Sequence, residues 1–355
     1  MRRIRAMGVA AGSQGAVPRL AVGEITTEVH HDAAGFEHLR PEWLDLEGRA
    51  AEDNIFMTHL WQHAWWQDLG GQADLDLLAF RHDGRLVGLA PTYRDRAGGF
   101  PVVRFGGGLE VTDYTGFLVE TGYEEAVGRA FLEHCLQVPG LVLDLHFLRS
   151  DGVTLAALTR AARDMERRYN IENEEVSPRI TLPGDWETYV SSLGKKDRHE
   201  LRRKRRRLED AGGWTVSETD EERLASDLEI FFILHAASTR AKADFLTEEV
   251  KRFFRHICHH LLEEGWLSLR LLHHAGRPVA AVLGFLYRGK LLLYNSGYDP
   301  ELNTLSAGLV LMSEEVRLAI EAGLSELDFL RGNEKYKYDL GAVDLDLVHL
   351  TVELA

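Results

Sequence analysis

Residues 334 to 339 set carboxylates, ammonium groups and phenols side by side: Glu334, Lys335, Tyr336, Lys337, Tyr338 and Asp339. They follow Arg331-Gly332 and an apolar run in which Leu327, Phe329 and Leu330 surround Asp328. A strand that runs out into opposite charges and tyrosines has the layout of an active-site rim, because loops at strand ends aim polar groups at a ligand. Composition alone fits ordinary loop ions as well.

Two further segments bear on chemistry. Tyr294 to Pro300, with Tyr298 and Asp299, reads as a strand ending in a turn, and a helix begins near Ser306. Small residues at that start (Ser306, Ala307, Gly308) let a ligand approach the unpaired helical N–H groups, where the helix dipole favours phosphate. The competing reading is simple N-capping by Thr304 or Ser306. Lys195 to Arg207 holds nine Lys/Arg against Asp197 and Glu200, a net +7 in a chain of net −15, so the remainder carries −22. Leu193, Leu201 and Leu208 recur at near-heptad spacing, which predicts a helix over 195–209 with one packed seam and a cationic remainder. Its like charges repel one another, so a phosphate, an anionic membrane or acids of the same chain must relieve them. The acidic remainder disfavours nucleic acid as the partner. His256 and His260 would share a helical face, but no third ligand follows in a recognisable pattern, and no metal is expected. GxSxG, Walker and GxGxxG motifs are absent.

The elements that must position these groups alternate. Strands are expected at 21–29, 75–80, 85–93, 102–105, 115–119 and 141–147, and again at 267–272, 279–287, 290–296 and 324–330. Helices are expected at 36–49, 60–69, 123–137, 155–168 and 306–322. Trp61, Trp65 and Trp66 make an aromatic helical face, which suits either a core or an acyl pocket. His82-Asp-Gly-Arg-Leu-Val87 matches His274-Ala-Gly-Arg-Pro-Val279, and Phe147-Leu-Arg-Ser150 matches Phe329-Leu-Arg-Gly332, in the same order and context. The two offsets, 192 and 182 residues, differ by ten. The chain therefore reads as two tandem copies of one α/β unit. Only the second copy carries the polar loop, which puts the chemistry there and leaves the first copy to complete the pocket.

At 355 residues and 45% hydrophobic, the sequence can fill two medium cores, and no apolar run approaches a membrane span. Residues 1–18 read as a mobile tail, 19–178 as the first domain and 179–355 as the second. Cys135 and Cys258, far apart and outside any CxxC, suit a reduced, cytoplasmic protein.

The basic helix, the strand into Ser296-Gly-Tyr-Asp-Pro300, the Ser-x-Gly helix start and the Asp-Phe-Leu-Arg-Gly-x-Glu-x-Tyr-Lys337 ending resemble one family. It is the CelD-like acyltransferases of the GNAT superfamily, relatives of the FemABX peptidyl transferases, and the similarity is clearest over Trp186 to Leu340. The resemblance implies two GNAT-like domains, each a mixed, mostly antiparallel sheet flanked by helices. It implies an acyl-CoA donor, with the pyrophosphate at the helix start, held by Leu305, Ser306, Ala307 and Gly308 and attracted by Lys195, Lys196, Arg198 and Arg202. Asn303-Thr-Leu-Ser-Ala-Gly308 is a relaxed version of the family's Gln/Arg-x-x-Gly-x-Gly/Ala signature. The implied catalytic set is Glu334 as base or amine-orienting carboxylate, Lys337 as electrostatic stabiliser, Tyr336 or Tyr298 as proton donor, and Asp328 with Arg331 ordering the loop. Arg331, Tyr294, Tyr298, Asp299, Asp113 and Tyr114 would bind substrate. The implied acceptor is a primary amine on a lipid of sphingoid or ceramide type, a sugar or an envelope precursor. The protein would be cytoplasmic, with peripheral membrane contact through 195–207. A FemABX-type transfer from charged tRNA, and a non-catalytic binder of anionic lipid or polymer, are the alternatives.

Overall fold

The computed structural model describes residues 24–354 apart from positions 72 and 98. The expected tail and the start of the first expected strand lie outside them. In the first half, β1 (Ile25–His30), α1 (Ala34–Glu47) and α2 (His59–Leu69) precede β2 (Asp74–His82), β3 (Arg85–Ala97), β4 (Phe100–Phe105) and β5 (Leu118–Val119). Then come α3 (Glu124–Cys135), β6 (Val142–Arg149), α4 (Val153–Asp164) and β7 (Tyr169–Thr181). The second half opens with α5 (Trp186–Ser192), α6 (Lys195–Asp210), β8 (Thr215–Glu218), α7 (Leu224–Ser238), α8 (Arg240–Phe245) and α9 (Glu248–Glu263). It continues through β9 (Leu267–His274), β10 (Arg277–Tyr287), β11 (Lys290–Tyr298), α10 (Ala307–Glu321), β12 (Glu326–Asp328), α11 (Lys335–Asp339) and β13 (Val343–Glu353).

The matched turns are real equivalents. Asp83 and Gly84 have φ of 50° and 79°, Ala275 and Gly276 49° and 77°, so each hairpin closes through two left-handed residues, the geometry that matches strand twist. All strands join one mixed sheet in the order β1-β2-β3-β4-β6-β13-β7-β12-β11-β10-β9-β8, with β5 beside β3. Its pairs are antiparallel except β4 with β6 and β11 with β12, one parallel pair in each copy. The copies exchange their last strands: β13, from the end of the chain, lies on β6, while β7 lies on β12. The expected division between 178 and 179 therefore falls inside β7, whose register runs unbroken from Val176 to Arg179 against β13.

The ten-residue difference in offset has a physical location. Thr92 pairs with Phe105, so an unbroken register would put residue 108 opposite Leu89, yet Leu118 stands there, ten residues on. The first copy leaves the sheet between β4 and β5, and that excursion returns as a two-residue strand where 115–119 was expected. The expected strand 324–330 is likewise cut to Glu326–Asp328. Asp328 Oδ1 accepts the N–H of Leu330 at 2.8 Å, and Leu330 turns to φ 55°, which ends the strand. Residues 335–339, expected as open loop, form the single turn of α11.

The tryptophan face is core. Trp61 and Trp65 are buried, and Trp61 meets Phe56, Phe253 and Phe285 edge-on, so α2 and α9 join the two copies in one apolar cluster. The acyl-pocket reading of that face is withdrawn. Leu193, Leu201 and Leu208 are buried as the seam of α6 requires, and Cys135 and Cys258 are buried free thiols. No helix among the described residues is long and apolar enough to cross a membrane.

The strand exchange gathers charge. Asp144 takes Arg104 at 2.6 Å, His349 at 2.7 Å and His146 at 3.3 Å, and His146 Nδ1 meets Glu174 at 2.5 Å. Donor atoms of Asp144, His146 and His349 lie within 4.8 Å of one another, the one such group among the described residues. The two imidazoles stack 4.0 Å apart at 6°, and both turn Nε2 toward Asp144 Oδ1. Burial works against a charge on His146, but hydrogen bonds to Asp144 and Glu174 outweigh it and raise its pKa to about 9. A raised folded-state pKa stabilises fully below the unfolded value, about 6.5, and the contribution is lost as pH climbs towards 9. The urea midpoint is expected to fall across that window, and His146→Gln to flatten the fall; an unchanged slope would refute the charged imidazole.

Candidate active site

β11 and β12 run parallel only from Lys290–Leu292 against Glu326–Asp328, and then part. Just beyond, the register on β10 slips by one between Leu283/Asn295 and Gly284/Leu293, leaving Tyr294 as the extra residue of a bulge. The opening lies at the ends of β11 and β12, with α10 on one side and the Arg331–Lys337 loop on the other. Two cavities flank it. The first, 270 Å³, touches Ser296 to Asp299, Ser306 to Leu309, and Tyr336. The second, 330 Å³, touches Tyr294, Asn295, Arg331 and Gly332. Successive residues of β11 thus face different cavities, and the Ser296 peptide is the wall between them.

The first cavity ends on the bare N-terminus of α10. Ser306 holds a left-handed φ of 56° and makes no side-chain cap, so the expected capping bond from it does not form. No acid occupies the first turn. In the first copy, α3 carries Glu124 and Glu125 at the same place. One helix start is thus neutralised by its own carboxylates and the other is left electropositive toward a cavity. Of the four expected helix-start contacts, Ser306, Ala307 and Gly308 line this cavity; Leu305 packs instead against the core beneath.

Helix α6 lies along the same edge, and most of its charge is used internally. Arg205 bonds Ser313 and Glu314 and stacks over Trp214, Arg207 donates to the Thr304 carbonyl, Arg203 pairs with Glu200 and Arg198 reaches Ser191 O. Of the expected phosphate cations Lys196 lines a 210 Å³ space continuous in lining with the first cavity, and Lys204 lines both. Lys195 and Arg202 are exposed, away from either.

The polar loop is held from behind. Lys337 is 2% exposed; its ammonium donates to the carbonyls of Leu330 (3.2 Å), Arg331 (2.8 Å) and Gly332 (2.9 Å) and pairs with Glu334 at 2.9 Å. It has no face free for a substrate, so the electrostatic stabilisation expected of it falls on the loop carbonyls. Glu334 is half exposed on the solvent side of that knot. Tyr336 lines the first cavity, and burial, with Glu334 beside it, pushes its phenol up, so it stays protonated.

Asp328 is 3% exposed and spent on structure: Tyr114 Oη donates to it at 2.6 Å, Ser177 Oγ at 2.8 Å, and Arg179 lies 3.3 Å away. It borders a 20 Å³ recess apart from both cavities, so its place among catalytic groups is corrected to a joint between the copies. Asp328→Ala would strip buried Arg179 of its counter-ion and leave the Tyr114 and Ser177 hydroxyls with only each other. A loss of about 3–5 kcal/mol of stability is expected in urea melts, and a loss below about 1 kcal/mol would contradict that role.

The first copy's excursion completes the second cavity. Asp113 pairs with Arg331 at 2.5 Å, Arg331 stacks over Phe147 at 3.9 Å, and Tyr294 Oη donates to Val111 O at 2.9 Å. Tyr298 and Asp299, expected among the substrate-binding residues, line the first cavity. Sequence reasoning missed His235 and Lys242, which line the second cavity and both donate to the Ser296 carbonyl, His235 Nδ1 at 3.1 Å and Lys242 Nζ at 2.5 Å. Burial lowers the pKa of Lys242, partly offset by Glu334. The signal lay in the packing of α7, where a Cβ at Gly297 would stand 2.2 Å from His235 N. No local motif carries that contact. His235 Nε2 is buried with no partner, and an unmet buried acceptor costs about 1–3 kcal/mol.

Residues 195–338 match the family model described as an acetyltransferase (GNAT) domain. No curated protein matches the sequence. Among solved structures the chain is similar to FemX, at TM-score 0.61 and 12% identity over 92% of this chain and 96% of that one. It is also similar to a conserved protein of unknown function from Bacteroides thetaiotaomicron, at TM-score 0.59 and 11% identity, covering 92% of this chain and 100% of the other. A third is the C-terminal domain of a proposed lysylphosphatidylglycerol synthetase from Agrobacterium fabrum, at TM-score 0.55 and 10% identity, covering 90% and 92%. At these identities the likeness establishes a shared fold.

Proposed function

We propose that this chain, a transferase carrying a GNAT acetyltransferase domain over residues 195–338, moves an acyl group from acyl-CoA to a primary amine. The observation that carries the reading is the uncapped, acid-free start of α10 opening into the first cavity. The donor's pyrophosphate binds the N–H groups of Ala307, Gly308 and Leu309, and Lys204 and Lys196 meet its phosphates. The thioester lies along Ser296 to Tyr298, beside the parting of β11 and β12. The amine attacks the thioester carbon from the second cavity; the C–N bond forms, and the C–S bond breaks as the tetrahedral intermediate collapses. Glu334 takes the proton released by the nitrogen, and Tyr336 or Tyr298 gives one to the departing thiolate. Lys337, Asp328 and Arg331 act by holding the loop.

The FemABX-type alternative, transfer from charged tRNA, is favoured by the fold shared with FemX. Peripheral membrane contact through α6 rests on what its internal bonds leave over, chiefly Lys195, Arg202 and Arg206. At about 1 kcal/mol per cation near an anionic surface, three give weak attachment at best. The donor classes separate in a melting experiment. Acetyl-CoA at a hundred times its Kd should add about 2.7 kcal/mol to stability, while aminoacyl-tRNA and anionic vesicles should add nothing. A response to aminoacyl-tRNA alone would transfer the site to the alternative, and a response to vesicles alone would make the chain a non-catalytic binder.

A further inference from the structure

His235 is 1% exposed, on the face of α7 that presses against β11. Its Nδ1 lies 3.1 Å from the Ser296 carbonyl, which can only accept, so the ring proton sits on Nδ1. Nε2 is then a bare lone pair, and the side chain lines the second cavity with no protein donor for that atom. Burial and the neighbouring Lys242 lower the pKa to about 4, which keeps the ring neutral near pH 7. The other face of the Ser296 peptide belongs to the donor cavity. A buried acceptor thus waits one peptide away from where the thioester is proposed to lie, and native structures rarely leave such an atom unmet.

We propose that the second cavity is the acceptor site and that His235 Nε2 accepts an N–H of the incoming amine, which is small and polar. The direction of attack rests on the acyltransferase reading; the site itself does not. A primary amine suits the atom because it keeps an N–H for Nε2 while its lone pair turns to the carbonyl carbon. Glu110 and Glu175 at the rim, with Asp113 already matched by Arg331, draw a cation towards the mouth. A long-chain amine fits poorly. At 330 Å³ the cavity is at the small end of ligand sites, and its apolar lining is little more than Phe245, Ala241 and the Tyr294 ring. The sphingoid acceptor thereby gives way to a small amine such as an amino sugar or amino acid derivative.

The test uses the whole chain labelled with ¹⁵N-histidine and long-range ¹H–¹⁵N spectra, the His235 signal being identified by its loss in His235→Asn. Methylamine is the probe, and tetramethylammonium, a cation without N–H, is the control. The expected result is an Nδ1–H tautomer whose Nε2 resonance moves with saturating methylamine and not with tetramethylammonium. No movement with either, or equal movement with both, would overturn the proposal. No acyl donor is needed, so failure of the transferase reading would show separately as absence of donor binding at α10. In turnover with acetyl-CoA, His235→Asn is expected to raise the amine KM tenfold or more at unchanged acetyl-CoA KM. His235→Gln, which can present an oxygen where Nε2 was, should restore part of it; equal KM values in all three proteins would count against the role.

Discussion

Gly308→Asp is expected to make the protein slightly more stable and unable to bind its donor. Gly308 lies in the first turn of α10, and a Cβ there would meet nothing nearer than Tyr298 Cβ at 3.5 Å, an ordinary contact. Replacing glycine inside a helix and adding an anion near its positive end each stabilise, the second by roughly 0.3–1 kcal/mol. The same carboxylate occupies the place proposed for pyrophosphate and repels it. Coenzyme A binding should weaken at least about a hundredfold, near 2.7 kcal/mol, while the melting temperature rises or holds. Gly308→Ala, which adds the methyl without the charge, should bind within a few-fold of wild type. Isothermal titration of the three proteins checks this, and equal affinities in all would remove the anion from α10.

Lys337→Met should cost about 3–5 kcal/mol of stability and nearly all turnover. The ammonium is the common partner of three loop carbonyls, and a thioether of similar shape leaves them buried and unmet. Glu334→Gln makes the contrast. Glu334 is 55% exposed, so its share of the ion pair is screened and its loss should cost under about 1 kcal/mol. Turnover should still drop at least about tenfold, as general-base removal does. Urea melts and initial rates on both variants separate loop support from proton transfer. Wild-type stability in Lys337→Met, or wild-type turnover in Glu334→Gln, would break the corresponding assignment.

Much of the scaffold was legible because it is local. Paired turn residues such as Asp83-Gly84 and Ala275-Gly276 announce hairpins through backbone geometry, and the spacing of Leu201 and Leu208 announces a helix seam. The duplication was legible too, and even its ten-residue discrepancy was the trace of a real excursion. What that excursion does was hidden. Asp113 and Tyr114 stand more than two hundred positions from Arg331 and Asp328, and only the exchange of β7 and β13 brings them together. For the same reason Asp328 looked like chemistry and proved to be a joint. Charge counting overstated α6, since Arg205 and Arg207 spend their charge on α10 and its preceding loop. His235 and Lys242 were missed because their meaning lies in one carbonyl on a distant strand.

Amide hydrogen exchange at the start of α10, with and without coenzyme A, tests the central claim most directly. The expected result is strong protection of Ala307, Gly308 and Leu309 on adding coenzyme A, with no change at Glu124 and Glu125, the equivalent helix start already filled by its own acids. Unchanged exchange at residues 307–309 under saturating coenzyme A, or equal protection at both helix starts, would contradict a donor site at α10.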